Sequence, residues 1–448
     1  MNNQQFSVIY DSSHYWLKNA HIPVCLLETD FDIPSQTREG LSLVDIEINE
    51  GVIIQVVYSS THLPSLETEN IPIVDLKGGQ VWPCFVDMHT HLDKGHIWMR
   101  SPNSDGSFDG ALDAEAKDAK EYWNAEDIYR RMEFGLKCSY AHGTKAIRTH
   151  LAHLECFAEQ GNISLDVFQT LQKEWEGRLI LQPVSLVSAD YYLTEAGETL
   201  ADKIADIGGI LGAFPLMNSD LDNQLERLFS LAKERQLDLD LHTDENGDPN
   251  SRVLYQVAEK AISHQFTGII ICGHCCSLAV QTPEQVTATL KLVKEANISI
   301  VSLPMCNLYL QNRQDNYTPR WRGVTLLHEL KKQGISVAVA SDNCRDPFFG
   351  FGDHDVLEVF NMSVRIAHLD MPYGDWPCAV TKTPADLIGL PNIGRIGIGL
   401  PADLILFKGR NLSELLSRSQ HDRVVLRNGR IIDTTLPDYC ELDSLFSE

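Results

Sequence analysis

The chain has 448 residues, of which 43% are apolar, so it can bury a sizeable core and is not a disordered tail. Its 37 Lys and Arg against 62 Asp and Glu give a formal net charge of −25, which disfavours nucleic acid and anionic membrane surfaces as partners. No apolar run approaches the ~20 residues that span a bilayer, and residues 1–5 lack the pattern of a secretory signal. We therefore expect a cytoplasmic protein with no nucleic-acid or membrane partner.

The eleven cysteines are an odd number, and several lie inside apolar segments, where a reduced thiol behaves as a small apolar side chain. This usage predicts free thiols and no framework of disulfides.

The two ends of the chain carry short strand-like segments rather than long helical patterns. In the first 80 residues these segments are separated by turn residues. Near the other end, Asn428-Gly429 between two apolar runs is a strong signal for a hairpin turn. We predict that residues 1–80 and 390–448 together form one small β-sandwich domain.

The middle of the chain alternates short β-branched runs with longer amphipathic stretches. From the second run onward the spacing is roughly 30 residues, the size of one βα unit. The near-continuous apolar character of the runs is typical of parallel strands that are buried on both faces. The runs are 82–88, 144–148, 179–187, 207–214, 237–241, 268–272, 298–303 and 335–340.

Eight such runs predict an α/β fold with a closed (β/α)8 TIM barrel, which we place at residues 81–389. An open, doubly wound sheet is the structural alternative. It is disfavoured because no G-x-G-x-x-G follows the first strand.

Side chains that bind metals recur at the ends of the predicted strands. His89 and His91 end the first strand, and residues i and i+2 of a strand point to the same side. The fifth strand ends with His242, the sixth with His274, and the eighth is followed by Asp342. Barrel enzymes place their chemistry at this end of the strands. Imidazoles and a carboxylate suit Zn²⁺ or Fe²⁺, so we predict one divalent metal ion.

From residue 70 to 430 the sequence resembles the amidohydrolase superfamily, and within it the bacterial cytosine deaminases. The resemblance is carried by an ordered set of motifs. They are VDMHTHLDK (86–94), GTKAIRTHL (143–151), LHTDENGDPNSR (241–252), GHCCS (273–277), LPMCNLYLQNR (303–313), RGVT (322–325), ASDNCRDPF (340–348) and GLPADLIL (399–406).

The resemblance implies a role for each residue that matches a family position. The implied metal ligands are His89, His91, His242 and Asp342. Glu245 matches the glutamate that shuttles protons, and His274 matches the histidine that orients the attacking water. Asp342 also has an implied catalytic role as the acceptor of the water proton. The bridging lysine of two-metal members has no counterpart at residues 209–217, so the resemblance implies a single metal ion.

Three positions near the predicted strand ends are candidates for binding the substrate. Ser188 stands where cytosine deaminases carry a glutamine that reads the amide edge of the pyrimidine. A hydroxyl does not offer the paired donor and acceptor of a carboxamide. Asn343 is a candidate to replace that recognition, and Phe348 a candidate wall against which a ring stacks.

Several nearby residues have two competing interpretations. Asp93, Lys94 and His96 either line the pocket or form local salt bridges and loop contacts. His150 and His153 are expected to satisfy local hydrogen bonds rather than bind metal. Residues 100–122, rich in Ser, Asn, Asp and Gly, are a candidate lid.

These features together predict a metal-dependent hydrolase that deaminates an amino-substituted nitrogen heterocycle, with cytosine or a close analogue as the substrate and ammonia as a product. One alternative is the hydrolysis of another C–N bond, in a triazine N-alkylamine or a cyclic amide. Another is a non-catalytic, metal-free scaffold of the same fold. We also expect a homo-oligomer that binds a small heterocycle.

Overall fold

The computed structural model describes residues 9, 12–29, 34, 37–59, 71–152 and 158–446. His153 lies outside the described residues, so its predicted role stays untested. The ten cysteines among the described residues are all free thiols, as the sequence predicts. No helix in the described ranges is both long and apolar enough to cross a membrane.

The chain divides into two compact units. Unit 1 consists of 1–86, 139–146 and 355–436, and unit 2 of 87–138, 147–354 and 437–448. The predicted bounds of two folding domains, 1–80 with 390–448 and 81–389, stay a prediction, because a division by contacts does not measure independent folding.

Unit 1 contains two four-stranded sheets, with strand orders β4-β3-β1-β5 and β18-β17-β16-β6, and a short pairing of β15 with β2. The strands are β1 His14–Pro23, β2 Leu27–Glu28, β3 Leu41–Asn49, β4 Val52–Tyr58, β5 Ile73–Asp75, β6 Val81–Pro83, β15 Ile396–Gly397, β16 Leu404–Leu406, β17 Val424–Arg427 and β18 Arg430–Ile431.

Two tight turns set the register of these sheets. Asn428 and Gly429 join β17 to β18 with φ values of 44° and 68°, and Arg427 pairs with Arg430 across them. Glu50 and Gly51 join β3 to β4 in the same way, with φ values of 48° and 81°. Positive φ at both central residues is the mark of a two-residue hairpin turn of type I′. The predicted hairpin at Asn428-Gly429 is therefore confirmed.

Eight further strands alternate with helices. They form two sheets with orders β7-β8-β9 and β10-β11-β12-β13-β14, and the neighbours within the second sheet are parallel. The strands are β7 Phe85–Thr90, β8 Thr144–Ala152, β9 Ile180–Leu186, β10 Leu211–Ala213, β11 Leu239–Thr243, β12 Ile270–His274, β13 Ile298–Ser302 and β14 Val337–Val339.

Isolated parallel bridges connect the edges of these two sheets. Val184 bridges to Ile210 and Ser188 to Phe214, which relates β9 to β10. Thr90 bridges to Asp342, which relates β7 to the residues after β14. The alternation of strands and helices makes this an α/β protein.

Several helices begin after a residue whose side chain accepts a hydrogen bond from an amide group of the first turn. Thr282 and Gln285 form a reciprocal capping box at the start of α7, and Pro283 occupies its first position. The helices are α1 Phe108–Tyr122, α2 Ala125–His142, α3 Ala158–Glu174, α4 Glu195–Asp206, α5 Leu221–Arg235, α6 Val253–Ser263, α7 Pro283–Glu295, α8 Pro304–Leu310, α9 Leu327–Lys332, α10 Val356–Ala367, α11 Lys382–Leu387 and α12 Leu412–Leu416.

Candidate metal centre and active site

Strand ends bring four of the predicted ligands together. His89 lies on β7 and His91 directly follows it, His242 lies on β11, and Asp342 follows β14. The Asp342 amide donates to the carbonyl of His89 over 2.9 Å, which fixes the carboxylate beside the two histidines. All these residues except His242 are buried, and His242 is half-buried.

The ligand atoms converge on one point. The Nε2 of His242 lies 3.2 Å from Nε2 of His89 and 3.3 Å from Nε2 of His91. The Oδ1 of Asp342 lies 3.2 Å from Nε2 of His91 and 3.7 Å from Nε2 of His89. Two imidazole nitrogens on one tetrahedral ion, with metal–nitrogen bonds of about 2.0–2.1 Å, lie about 3.3 Å apart. The separations therefore fit a shared cation.

Hydrogen bonds alone do not account for this cluster. A neutral imidazole carries only one N–H, so the three Nε2 atoms cannot satisfy one another in a closed set of hydrogen bonds. Among the described residues, neither buried carboxylate oxygen of Asp342 has a hydrogen-bond partner, an arrangement that costs free energy unless a cation is bound. The donor set therefore fits a divalent metal ion held by His89, His91, His242 and Asp342.

The protonation of the histidines suits this role. Burial lowers the pKa of His89, His91 and His242 well below the ordinary value, and charged neighbours add to the effect. The rings are therefore neutral at pH 7, the state in which imidazole binds metals.

His150 lies closer to the ligands than the sequence indicates. Its ring centroid is 3.9 Å from that of His89, and it forms a further group of potential ligands with His89 and His91. Its Nε2 also lies 3.2 Å from Oδ1 of Asp240, and Arg148 donates to the other oxygen of Asp240 over 2.9 Å. A polar network of β8 and β11 thus lies beside the metal ligands.

A second cluster adjoins the metal ligands and consists of Glu245, His274 and Asn307. The Nδ1 of His274 lies 3.2 Å from Oε1 of Glu245. The amide nitrogen of Asn307 lies 3.0 Å from Nδ1 of His274 and 3.3 Å from Oε1 of Glu245. Oxygen and nitrogen atoms of Glu245, His274 and Asp342 all lie within 4.8 Å of one another.

These contacts assign the protons of the second cluster. When Asn307 donates to Nδ1 of His274, that ring carries its proton on Nε2, which has no partner among the described residues. Burial and then the charge of Asp342 raise the pKa of Glu245 well above its ordinary value. This shift favours the carboxylic acid form of Glu245, from which a proton can be donated, and this tautomer of His274 presents an N–H donor.

Asn307 was missed by the sequence interpretation, although it belongs to the quoted motif at 303–313. It lies in α8, which begins with Pro304 directly after β13. The sequence feature that could have identified Asn307 is a carboxamide in the first helical turn after a strand end. Such a helix starts at the end of the strands where the metal ligands lie.

Backbone geometry at the site is unusual. His274 and Asp342 both have left-handed backbone conformations, with φ values of 66° and 65°. Residues other than glycine adopt this conformation rarely, and such strain concentrates at functional sites. The chain therefore turns sharply where these two strands deliver their functional side chains.

The predicted substrate residues lie in different settings. The side-chain amide of Asn343 donates a hydrogen bond to Oδ2 of Asp346 over 2.7 Å. One of its amide hydrogens is therefore already bonded within its own loop. Phe348 is buried in an apolar cluster with Ala111 and Leu310. Ser188 follows β9 and bridges to Phe214, so it lies where two neighbouring strands end.

A residue of the predicted lid pairs with Lys94, whose ammonium group lies over the ring of Phe348. Residues 108–122 form α1, and its Glu115 lies with Oε2 3.6 Å from Nζ of Lys94. The ammonium of Lys94 lies 4.0 Å from the ring centroid of Phe348. Burial alone would lower the pKa of Lys94, but Glu115 and nearby aspartates raise it above its ordinary value. Lys94 therefore stays charged beside the candidate site, and Glu115 is a second residue that the sequence interpretation missed.

Comparison with known proteins agrees with this geometry. The family model described as Amidohydro_3, amidohydrolase family, matches residues 72–135 and 142–433. The chain belongs to this amidohydrolase family. Membership makes the protein a hydrolase that acts on C–N bonds, so the predicted superfamily and enzyme class are confirmed.

Individual relatives span nearly the whole amidohydrolase chain. It is 48% identical to a pterin deaminase of Rhizobium rhizogenes over 97% of each protein. It is 25% identical to an N-isopropylammelide isopropyl amidohydrolase of Pseudomonas sp. strain ADP, over 80% of this chain and 87% of the relative. Its structure is similar to 5-methylcytosine deaminase from Klebsiella pneumoniae, with a TM-score of 0.78, 23% identity, and coverage of 93% and 98% of the two chains. This likeness indicates a TIM-barrel-like fold.

Proposed function

We propose that the protein is a metal-dependent deaminase that hydrolyses the exocyclic amino group of a pterin. The carrying observation is the 48% identity to a pterin deaminase over 97% of both chains. The pairing of a protonated Glu245 with the metal-ligand cluster supplies the chemistry. Cytosine, which the sequence predicts as the substrate, is not confirmed and becomes a comparison in the test.

The reaction replaces a C–N bond by a C–O bond. Water adds to the ring carbon that bears the amino group, and collapse of the tetrahedral adduct expels ammonia and leaves a ring carbonyl. Protonation of the adjacent ring nitrogen makes that carbon electrophilic. Glu245 supplies this proton in our account, because its raised pKa keeps it in the acid form.

Two other side chains act on the oxygen atom of the attacking water. Asp342 accepts a proton from the attacking water. The Nε2–H of His274 donates a hydrogen bond to the oxygen that gains charge during addition, a contribution of about 3–4 kcal/mol when such donors are removed from other enzymes. His89, His91, His242 and Asp342 would hold a divalent ion, which we propose to be Zn²⁺ or Fe²⁺ and which would lower the pKa of water and supply Lewis acidity.

Recognition of the ring falls to the residues around the metal position. Phe348, Asn343 and Ser188 stay predicted contacts of the substrate, and we add Lys94 as a charged group beside Phe348. The net charge of −25 suits a neutral ring better than a nucleotide or polynucleotide.

The finer architecture belongs to the same proposal. We propose that β7 to β14 close into a (β/α)8 barrel, supported by the bridges from β9 to β10 and from β7 to Asp342. We also propose that the two four-stranded sheets of unit 1 form the β-sandwich and that the protein is a cytoplasmic homo-oligomer.

A substrate panel tests the function. Metal-loaded protein is incubated with pterin, cytosine, creatinine and N-isopropylammelide, and the release of ammonia and of isopropylamine is measured. The proposal predicts ammonia from pterin at a kcat/KM at least tenfold above that for cytosine. Higher efficiency on cytosine would restore the pyrimidine prediction, and isopropylamine as the main product would favour the triazine alternative.

A further inference from the structure

Three buried side chains outside the proposed catalytic set form a second group of potential metal ligands. They are His96, Cys344 and His354, with exposed fractions of 3%, 2% and 3%. All three belong to unit 2. His96 follows β7, Cys344 follows β14, and His354 shortly precedes α10.

The distances within the group suit one small cation. One ligand atom from each residue lies within 4.8 Å of the other two, and the two Nε2 atoms are 3.1 Å apart. With metal–nitrogen bonds of about 2.0–2.1 Å this separation corresponds to an angle of about 95–100° at the metal, within the range of distorted tetrahedral sites. We propose that His96, Cys344 and His354 form a second metal site, structural in role, that binds Zn²⁺.

The donor atoms favour this class of ion. Two imidazole nitrogens and a thiolate select borderline metals such as Zn²⁺ over Mg²⁺ or Ca²⁺, which prefer oxygen ligands. Burial lowers the pKa of His96 well below its ordinary value, so its ring is neutral and able to bind metal. Thiolate formation is coupled to metal binding, because the bound cation stabilises the charge.

Both positively and negatively charged side chains lie near the second site. The positive charges of Arg131 and Arg345 act on His96. Arg131 is paired with Asp127 at 2.7 Å, and the guanidinium of Arg345 lies over the ring of Tyr439 at 4.6 Å. Burial and then the negative charge of Asp353 raise the pKa of Cys344 well above its ordinary value, so the thiolate forms only together with a bound cation.

The backbone fixes the geometry of the group. The His96 amide donates to the carbonyl of Cys344 over 3.1 Å, and the Trp98 amide donates to the carbonyl of Arg345 over 2.8 Å. His96 and His354 both have left-handed backbone conformations, with φ values of 64° and 53°. The loops that carry the two ligands are thus tied together independently of a metal, as expected of a preformed site.

A metal at this position would connect the two strands that supply three of the four proposed catalytic ligands. His96 is five residues after His91, and Cys344 is two residues after Asp342. We infer that the second site holds the ends of β7 and β14 in the arrangement that the first site requires. A hydrogen bond between the two imidazoles is the competing arrangement.

The test measures metal content and metal–sulfur bonding in the full-length protein. All samples carry Cys440→Ser, which removes an exposed thiol. Protein incubated with excess Zn²⁺ and dialysed is analysed for bound metal, and Co²⁺-loaded protein is analysed for the charge-transfer absorption of a thiolate–cobalt bond. The variants are Cys344→Ser and the matched control Cys84→Ser, since Cys84 is also a buried thiol but lies outside the metal group and has no electrostatic contact with it.

The proposal expects two equivalents of Zn²⁺ and a thiolate–cobalt band in the parent protein and in Cys84→Ser. It expects one equivalent and loss of the band in Cys344→Ser. One equivalent in the parent protein together with no band would overturn it and favour the imidazole hydrogen bond. The parent measurements decide the matter even if Cys344→Ser does not fold. Because no substrate is used, failure here is separate from failure of the proposed pterin deamination.

Discussion

At the scale of single residues, two neighbouring carboxyl groups define the site. Glu245 is the proton donor of the proposed reaction, and Asp342 is a proposed metal ligand. Glu245 contacts His274 and Asn307, whereas neither oxygen of Asp342 has a hydrogen bond among the described residues. Burial raises the pKa of both carboxyl groups, that of Asp342 to about 7, so a cation bound to Asp342 would be what keeps that group ionised and separates the acid role from the base role.

Replacement of Glu245 by glutamine tests the acid role. The amide keeps the size of the side chain but cannot transfer the proton, so we expect kcat to fall about 10²–10⁴-fold. Bound metal, measured by elemental analysis, should be unchanged because Glu245 is not among the proposed ligands.

The matched control is Glu259→Gln, the same change at an exposed position on α6. It should leave kcat within about twofold of the parent value, as surface substitutions usually do. A Glu245→Gln variant that retained parent kcat would remove this residue from the mechanism.

The pH profile provides a second test at this scale. Because Glu245 must be protonated to act, the rate should fall as pH rises through its raised pKa. The Asn307 amide donates to the Glu245 carboxyl and so favours its charged form. In Asn307→Leu the alkaline limb of kcat should therefore move to higher pH, which steady-state kinetics across pH would measure. A limb that stays in place would separate Asn307 from the titration of Glu245.

At the scale of secondary-structure elements, a buried contact joins β7 to the end of β14. The carboxylate of Asp87 accepts from the amide of Ser341 over 3.1 Å and from its hydroxyl over 2.5 Å. Burial raises the pKa of Asp87 to about 6. Asp342 is the next residue after Ser341, so this contact positions a proposed metal ligand.

Removal of the Ser341 hydroxyl should weaken both the fold and the metal site. Ser341→Ala leaves a buried carboxyl with one fewer donor, so we expect a loss of about 1–3 kcal/mol in the free energy of unfolding, measured by urea denaturation of chelator-treated protein. Metal affinity, measured by competition with a chelator, should also fall. The control is Ser302→Ala on the neighbouring β13, because the buried hydroxyl of Ser302 has no hydrogen-bond partner; equal losses in the two variants would argue against the contact.

The start of α10 depends on a buried ion pair. Asp355 accepts from the amide of Leu357 over 3.0 Å, and Arg423 donates to both of its oxygens over 2.8 and 2.6 Å. Burial opposes the charged form, but Arg423 and His142 hold the pKa of Asp355 below its ordinary value. Its stabilising effect is therefore present above the pKa of the unfolded chain and is lost as pH falls through the folded-state pKa.

Asp355→Asn should cost about 3–5 kcal/mol, since it leaves the buried guanidinium of Arg423 without a countercharge. Thermal unfolding at pH 7 and at about pH 2.5, which is below the ordinary pKa of about 3.9 for aspartate, would measure this, with a smaller difference between variant and parent expected at the lower pH. Asp422→Asn, which breaks a solvent-exposed pair with Lys408, serves as the control and should have little effect. A parent-like melting temperature for Asp355→Asn would contradict the assigned role.

Position in the elements also explains what the sequence predicted. The convergence of His89, His91, His242 and Asp342 could be predicted because strand periodicity and the common direction of parallel strands place strand ends together. Asn307 and Glu115 enter from helices α8 and α1, whose rotation about their axes depends on packing rather than on a local pattern. The packing of Phe348 depends in the same way on contacts with α1, which no sequence motif predicts.

At the scale of the whole molecule, composition and charge disfavoured nucleic acid and membranes as partners but did not choose a substrate. The acidic net charge is compatible with pterin, cytosine and triazines alike. The similarity to a pterin deaminase over 97% of the chain favours pterin among the candidate substrates. Strand ends and ligand spacing cannot make this choice, because recognition of the ring depends on side chains from several loops. The predicted homo-oligomer stays a prediction that the molecular mass in solution would test against the 50.3 kDa of one chain.

The most direct test of the central claim is the rate of ammonia release from pterin by metal-depleted protein before and after addition of a divalent ion. The account predicts no enzymatic release without metal and recovery on addition of Zn²⁺ or Fe²⁺, but no recovery in a His242→Ala variant. Full activity of the metal-depleted protein, or no ammonia from pterin when metal is bound, would contradict it.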